Sequence, residues 1–135
     1  CGILQVSDIE RYCRPGSSAK PTEVDIMNLV RQRYVGTSQR VPELADPLLL
    51  LERGQEPERP LPPFMAAVGG ADPLLEDTQR LERALKALNT ECEAPVYEKE
   101  IHAFFALVWR RRAQRCWRDM YAFLDRNLPF SGSSV

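Results

Sequence analysis

With 135 residues, 44% of them apolar and 27% charged, the chain has the make-up of one globular domain that closes a core without needing disulfides or metal. A formal net charge of −1 gives no global field that draws it to nucleic acid or an anionic membrane. Its longest nearly apolar run, residues 101–109, is about half of what crosses a bilayer, so no transmembrane segment is expected.

The chain starts at Cys1 without an initiator Met, which reads as a processed or trimmed start; Cys1-Gly2 also suits an acylated bacterial lipoprotein. Residues 2–6 are apolar and fit a strand or the entry to a helix. Ser7 with Glu10 three residues later has the capping-box pattern and predicts a short helix from about Asp8 to Cys13, ended by Pro15-Gly16-Ser17-Ser18. Thr22 with Asp25 opens the next helix. Val24, Ile26, Met27, Leu29, Val30 and Tyr34 carry it at helical spacing to Gly36, a natural residue past a helix end.

A five-residue repeat follows, Ala45-Asp46-Pro47-Leu48-Leu49 and again Ala71-Asp72-Pro73-Leu74-Leu75. In both, Asp is placed to cap free N–H groups and Pro to occupy the first helical position, where its missing N–H costs nothing. The first copy predicts a helix to Arg53, stopped by Gly54; the second predicts one to about Glu91. Leu74, Thr78, Leu81, Leu85, Leu88 and Cys92 form a heptad-like seam on that second helix. Between the copies, prolines and the Gly69-Gly70 pair predict a flexible connector at about 54–71 within a single helical domain spanning 1–135, with 55–63 lacking regular structure. Pro95 breaks the chain, and 96–128 reads as one long helix ended by Pro129, burying Ile101, Phe105, Val108, Trp109, Cys116, Met120 and Phe123 on one face. Residues 131–135 are expected to be irregular. These elements add up to an all-α fold, a bundle of three main helices plus one or two short ones with a proline-rich connector.

Little here points to catalysis. No G-x-S-x-G, phosphate-cradling glycine loop or H-E-x-x-H occurs. His102, the single histidine, reads as a satisfied core or boundary residue between Ile101 and Phe105. Cys1, Cys13, Cys92 and Cys116 lack the C-x-x-C spacing of a zinc site, so no metal and no cofactor are expected. An oxidising compartment would allow three disulfide pairings among them; otherwise Cys92 and Cys116 read as small buried apolar residues.

Two surface signals point to partners. Arg110, Arg111, Arg112, Arg115 and Arg118 crowd into nine residues together with Trp109, Trp117 and Tyr121. The cluster reads as an exposed face with intramolecular ion pairs or as a surface for a partner; arginine forks grip carboxylate or phosphate, and the near-zero net charge favours an acidic protein over nucleic acid. The partner-binding set is Arg110, Arg111, Arg115, Arg118, Trp117 and Tyr121. Arg112 and Asp119 fall on the buried face of the long helix and so must pair, reach water at an edge or meet a partner. Arg59-Pro60-Leu61-Pro62-Pro63 resembles the core of class I SH3-binding peptides, which implies a polyproline segment with Arg59, Pro60, Pro62 and Pro63 as contacts, although Phe64-Met65 stand where another proline is expected. Ser133-Ser134-Val135 resembles a PDZ-binding tail. The function expected on these grounds is a non-enzymatic interaction module, adaptor or assembly subunit. The alternatives are a secreted cytokine-like helical ligand, which the lack of any N-x-[ST] acceptor disfavours, and a lipoprotein assembly factor acylated at Cys1. An intracellular setting is favoured over a secreted one.

Overall fold

The computed structural model describes residues 2–14, 17, 19–36, 43–55 and 57–128. Cys1, most of the 15–18 stop, Pro129 and the 131–135 tail lie outside them. Four helices, α1 (Pro21–Val35), α2 (Pro47–Glu52), α3 (Leu75–Ala87) and α4 (Arg111–Asn127), share the described chain with four short strands. The strands are β1 (Phe64–Met65), β2 (Val68–Gly69), β3 (Cys92–Glu93) and β4 (Val96–Tyr97); 3-10 turns occupy Ile9–Cys13, Glu43–Ala45 and Phe104–Ala106.

The strands overturn the all-α expectation. β1 pairs with β3 and β2 with β4, both parallel, in the registers Phe64↔Cys92 and Val68↔Val96. Phe64, Ala66, Val68 and Gly70 donate their N–H groups in turn to the carbonyls of Glu91, Glu93, Pro95 and Tyr97 at 2.9–3.1 Å. One ladder therefore runs through both pairs. Pro95 accepts from Val68 but has no N–H to return, which splits the ladder into two short pieces. A parallel strand joined by a helix to its neighbour is the βαβ unit, and α3 is that crossover.

Both faces of the ladder are covered, which is why residues 64–69 read as a continuous apolar run instead of alternating. Phe64, Ala66 and Cys92 pack with Leu48, Leu81 and Leu85 of α2 and α3, while Ala67 and Tyr97 pack with Phe104, Cys116 and Met120 on the α4 side. This layering of helices on both sides of a parallel sheet is a mixed α/β architecture. A third cluster, Ile9, Tyr12, Val24, Met27 and Leu74, joins the first turn and α1 to the start of the α3 segment. Arg11 reinforces that join from a buried position. Its Nη2 sits 3.0 and 2.8 Å from the two carboxylate oxygens of Asp77 on α3.

Several expected elements are present with shifted limits. The Asp8–Cys13 helix is the 3-10 turn from Ile9, α1 ends at Gly36 with φ +74°, and the seam residues Thr78, Leu81 and Leu85 are buried on α3. The long helix over 96–128 is not formed. Nearly its first half, residues 96–110, is β4, loop and a 3-10 turn, because Lys99 and Ala103 take φ of +62° and +56°, which no right-handed helix contains. The buried face assigned to it fails accordingly: Ile101, Val108 and Trp109 are 56–73% exposed and Phe105 is half-buried, whereas Cys116 and Phe123, within α4, are buried. Within the stretch 54–71 expected as a connector, Phe64–Met65 and Val68–Gly69 are strand.

Candidate functional site

Because β2 and β4 run side by side in one direction, the chain leaves both at the same edge of the ladder. In parallel α/β sheets, groups that meet beyond the carboxyl ends of the strands are the ones placed to act on a ligand. From Gly69 the chain turns through Gly70 and Ala71 to Asp72; from Tyr97 it loops through Glu100 to His102. The two segments are locked backbone to backbone. Gly70 N–H donates to Tyr97 O and Ala71 N–H to Glu100 O, both at 2.9 Å. A Cβ on Gly69 would stand 2.2 Å from Glu100 O, so only glycine admits this approach.

Asp72 and His102 meet here. The Asp72 carboxylate is buried; its Oδ1 accepts the Leu74 N–H at 2.8 Å, and its Oδ2 lies 3.0 Å from His102 Nδ1. A carboxylate only accepts, so the proton between them belongs to Nδ1, and in the neutral imidazole the lone pair is then on Nε2. The His102 side chain is 52% exposed. The arrangement is an imidazole oriented by an acid, as a general base requires.

The loop carrying His102 is held from behind by α4. Phe104 is buried against Tyr97 with ring centroids 5.0 Å apart, Phe105 meets Trp117 edge-on, and Trp117 Nε1 donates to Phe105 O at 3.0 Å. Tyr97 donates its hydroxyl to Asp119 at 2.6 Å. Burial first, then that bond, pushes the Tyr97 hydroxyl well above the usual tyrosine range, so it stays a donor. Glu100, 1% exposed, receives Arg110 Nη1 at 2.9 Å and Arg112 Nη1 at 3.4 Å. Those arginines stand at the N-cap and first turn of α4, where the helix has no acidic residue. Cations at a helix N-terminus cost about 0.3–1 kcal/mol each, and Glu100 offsets that cost.

The structure thus divides the partner-binding set read from sequence. Arg110 faces Glu100, Arg115 sits 3.8 Å from Asp119 along α4, and the rings of Trp117 and Tyr121 meet at a tilt, centroids 6.1 Å apart. Arg111 and Arg118 are exposed, without an ion-pair partner among the described residues. Arg59, Pro60, Pro62 and Pro63 are exposed just ahead of β1. Cys13, Cys92 and Cys116 are free thiols, and burial pushes those of Cys92 and Cys116 up, away from the reactive thiolate. No group of metal-binding side chains occurs among the described residues, and none of their helices is long and apolar enough to cross a membrane.

A cavity of about 440 Å³ opens beside His102. Val6, Ile26, Met27, Val30, Leu44 and Leu74 give it apolar walls, and Glu23, Tyr34 and His102 bring its polar side chains.

Sequence reasoning missed both members of the pair. It gave Asp72 to helix capping and His102 to the core or its boundary. The available signal was the single histidine itself, following a short apolar strand, with an acid after a second apolar run; nothing in the spacing of 30 residues ties the two together.

Residues 6–106, which is 101 of the 135, match a family model described as alpha/beta hydrolase fold. No curated protein matches the chain. The family match overturns the non-enzymatic adaptor reading, along with its cytokine-like and lipoprotein alternatives, and points to a hydrolase. The sheet and the Asp72–His102 contact supply the physical reason: the helical-bundle reading had no strand ends at which the two side chains could converge.

Proposed function

This chain belongs to the alpha/beta hydrolase fold family, and from that premise we propose that it carries the general base and orienting acid of an ester hydrolase, with His102 as base and Asp72 as its partner. The 3.0 Å contact between Asp72 Oδ2 and His102 Nδ1 carries the proposal. The order acid then histidine is the order in which this fold presents them after its serine nucleophile. His102 Nε2 takes the proton of the attacking hydroxyl and returns it to the leaving alcohol, while Asp72 stabilises the imidazolium formed between those steps. No residue of 1–71 stands in a G-x-S-x-G setting, so the proposal assigns the acid–base pair and not the nucleophile. The apolar cavity with His102 in its lining favours esters with an apolar acyl or alcohol portion.

The test is hydrolysis of p-nitrophenyl acyl esters and labelling by a fluorophosphonate, both on the native protein. His102→Ala is expected to lower kcat by about 10⁶-fold and to suppress labelling. Hydrolysis by His102→Ala at the unaltered rate, or no hydrolysis and no labelling by the native protein, overturns the reading.

A further inference from the structure

We infer that Glu100, gripped by Arg110 and Arg112, is a positioning residue that sets the geometry of the Asp72–His102 pair; the inference rests on the hydrolase reading of that pair. Glu100 stands two residues before His102, and each of its backbone groups is committed. Its N–H donates to Tyr97 O at 3.2 Å, and its carbonyl accepts the Ala71 N–H at 2.9 Å, next to Asp72. The carbonyl also lies against Gly69, where even a methyl group would collide with it. One residue thus touches the end of β4, the end of β2 and the turn that presents the acid. Its side chain is equally constrained, 1% exposed between Arg110 and Arg112.

The grip is electrostatic more than directional. Arg110 comes within 2.9 Å of Oε2, yet that oxygen has no well-aligned hydrogen bond. The arginines are 42% and 51% exposed, so the clamp is reachable from water on one side and buried at the carboxylate. The loop needs such an outside hold. Lys99 and Ala103, which bracket Glu100 and His102, both adopt left-handed backbone conformations that their own side chains disfavour. Released from α4, the loop can relax toward ordinary dihedrals and carry the imidazole off Asp72.

The experiment reads the imidazole directly. The chain holds one histidine, so ¹⁵N spectra of the histidine-labelled full chain report which ring nitrogen bears the proton, and ester kinetics on the native protein run beside them. Glu100→Gln is expected to mix the two tautomers and to lower kcat by about 10- to 100-fold with KM unchanged, the size of effect that a misplacement near 1 Å produces. Helical circular dichroism is expected to stay as it was. An unaltered ring pattern with an unaltered kcat overturns the inference. If Glu100→Gln loses its helical signal, Arg110→Met/Arg112→Met asks the same question from the exposed side, and a retained ring pattern there overturns it. Arg110→Lys/Arg112→Lys keeps both charges and is expected to keep the ring pattern, since each contact is through a single nitrogen; equal loss in the Lys and Met pairs overturns the electrostatic clamp. Should the native protein neither hydrolyse an ester nor take the fluorophosphonate label, the hydrolase reading fails while the ring pattern still decides the role of Glu100.

Discussion

Ala45-Asp46-Pro47-Leu48-Leu49 and Ala71-Asp72-Pro73-Leu74-Leu75 are the same five residues put to different use. Both aspartates are buried and both precede a helix, yet neither does only what the local pattern suggests. Asp46 leaves its own helix uncapped and turns Oδ1 to the N–H groups of Val6 at 2.6 Å and Ser7 at 3.0 Å, tying down the start of the chain. Asp72 gives one oxygen to Leu74 N–H and the other to His102. Pro47 is the first residue of α2, whereas α3 begins two residues after Pro73. The difference comes from what precedes each motif. Asp46 follows a 3-10 turn; Asp72 follows a parallel strand whose neighbour ends in the His102 loop. An acid becomes part of a site because of the strand end it stands on, not because of the residues beside it.

The largest way to break that comparison is catalytic. Asp72→Asn is expected to lower kcat toward p-nitrophenyl esters by about 10⁴-fold, because the amide leaves the imidazole in the wrong tautomer, while Asp46→Asn leaves kcat unchanged. Equal losses in the two variants would mean that both acids serve the fold and neither the reaction. A smaller effect separates them in the other direction. Asp46→Ala strips the acceptor from two backbone N–H groups, that of Val6 being buried, and is expected to reduce the unfolding free energy by about 1–3 kcal/mol. An unchanged midpoint in urea would show that water replaces the carboxylate.

The smallest effect concerns the contact between the two motifs' own helices. Arg80 of α3 meets Glu52 of α2 with both Nε and Nη2, at 2.8 and 2.7 Å. The Arg80 hydrogen bonds hold Glu52 below its ordinary value of 4.5. A carboxyl depressed in the folded state contributes stability above its unfolded value and loses it as the pH falls through the folded one. Glu52→Gln is therefore expected to be less stable at pH 7, by at most about 1 kcal/mol after solvent screening, and the difference should close on acidification below 4.5. A deficit that stays constant from pH 7 to below 3 would assign it to packing and not to charge.

What a few neighbouring residues can decide was legible before folding. Helical spacing and Gly36 marked α1, Asp46-Pro47 and Gly54 bracketed α2, Thr78, Leu81 and Leu85 showed the buried side of α3, and the basic, aromatic stretch from Arg111 is a helix. Each of those signals acts within one or two turns of chain. The strands were ambiguous for the same reason: Phe64-Met65-Ala66-Ala67-Val68 is as compatible with a buried helix as with a strand covered on both faces, and Pro95 looked like a break although its carbonyl still accepts a ladder bond from Val68. Apolar spacing also extended a helix back through Ile101 and Val108, since periodicity carries no sign of the left-handed backbone at Lys99 and Ala103. The rest depends on contacts between distant parts of the chain. Parallel pairing brings Val68 beside Val96 across the α3 crossover, and that pairing sets the strand ends from which Asp72 and His102 converge. Glu100 and the arginines of α4 then close on the same loop through contacts that exist only once the chain has folded.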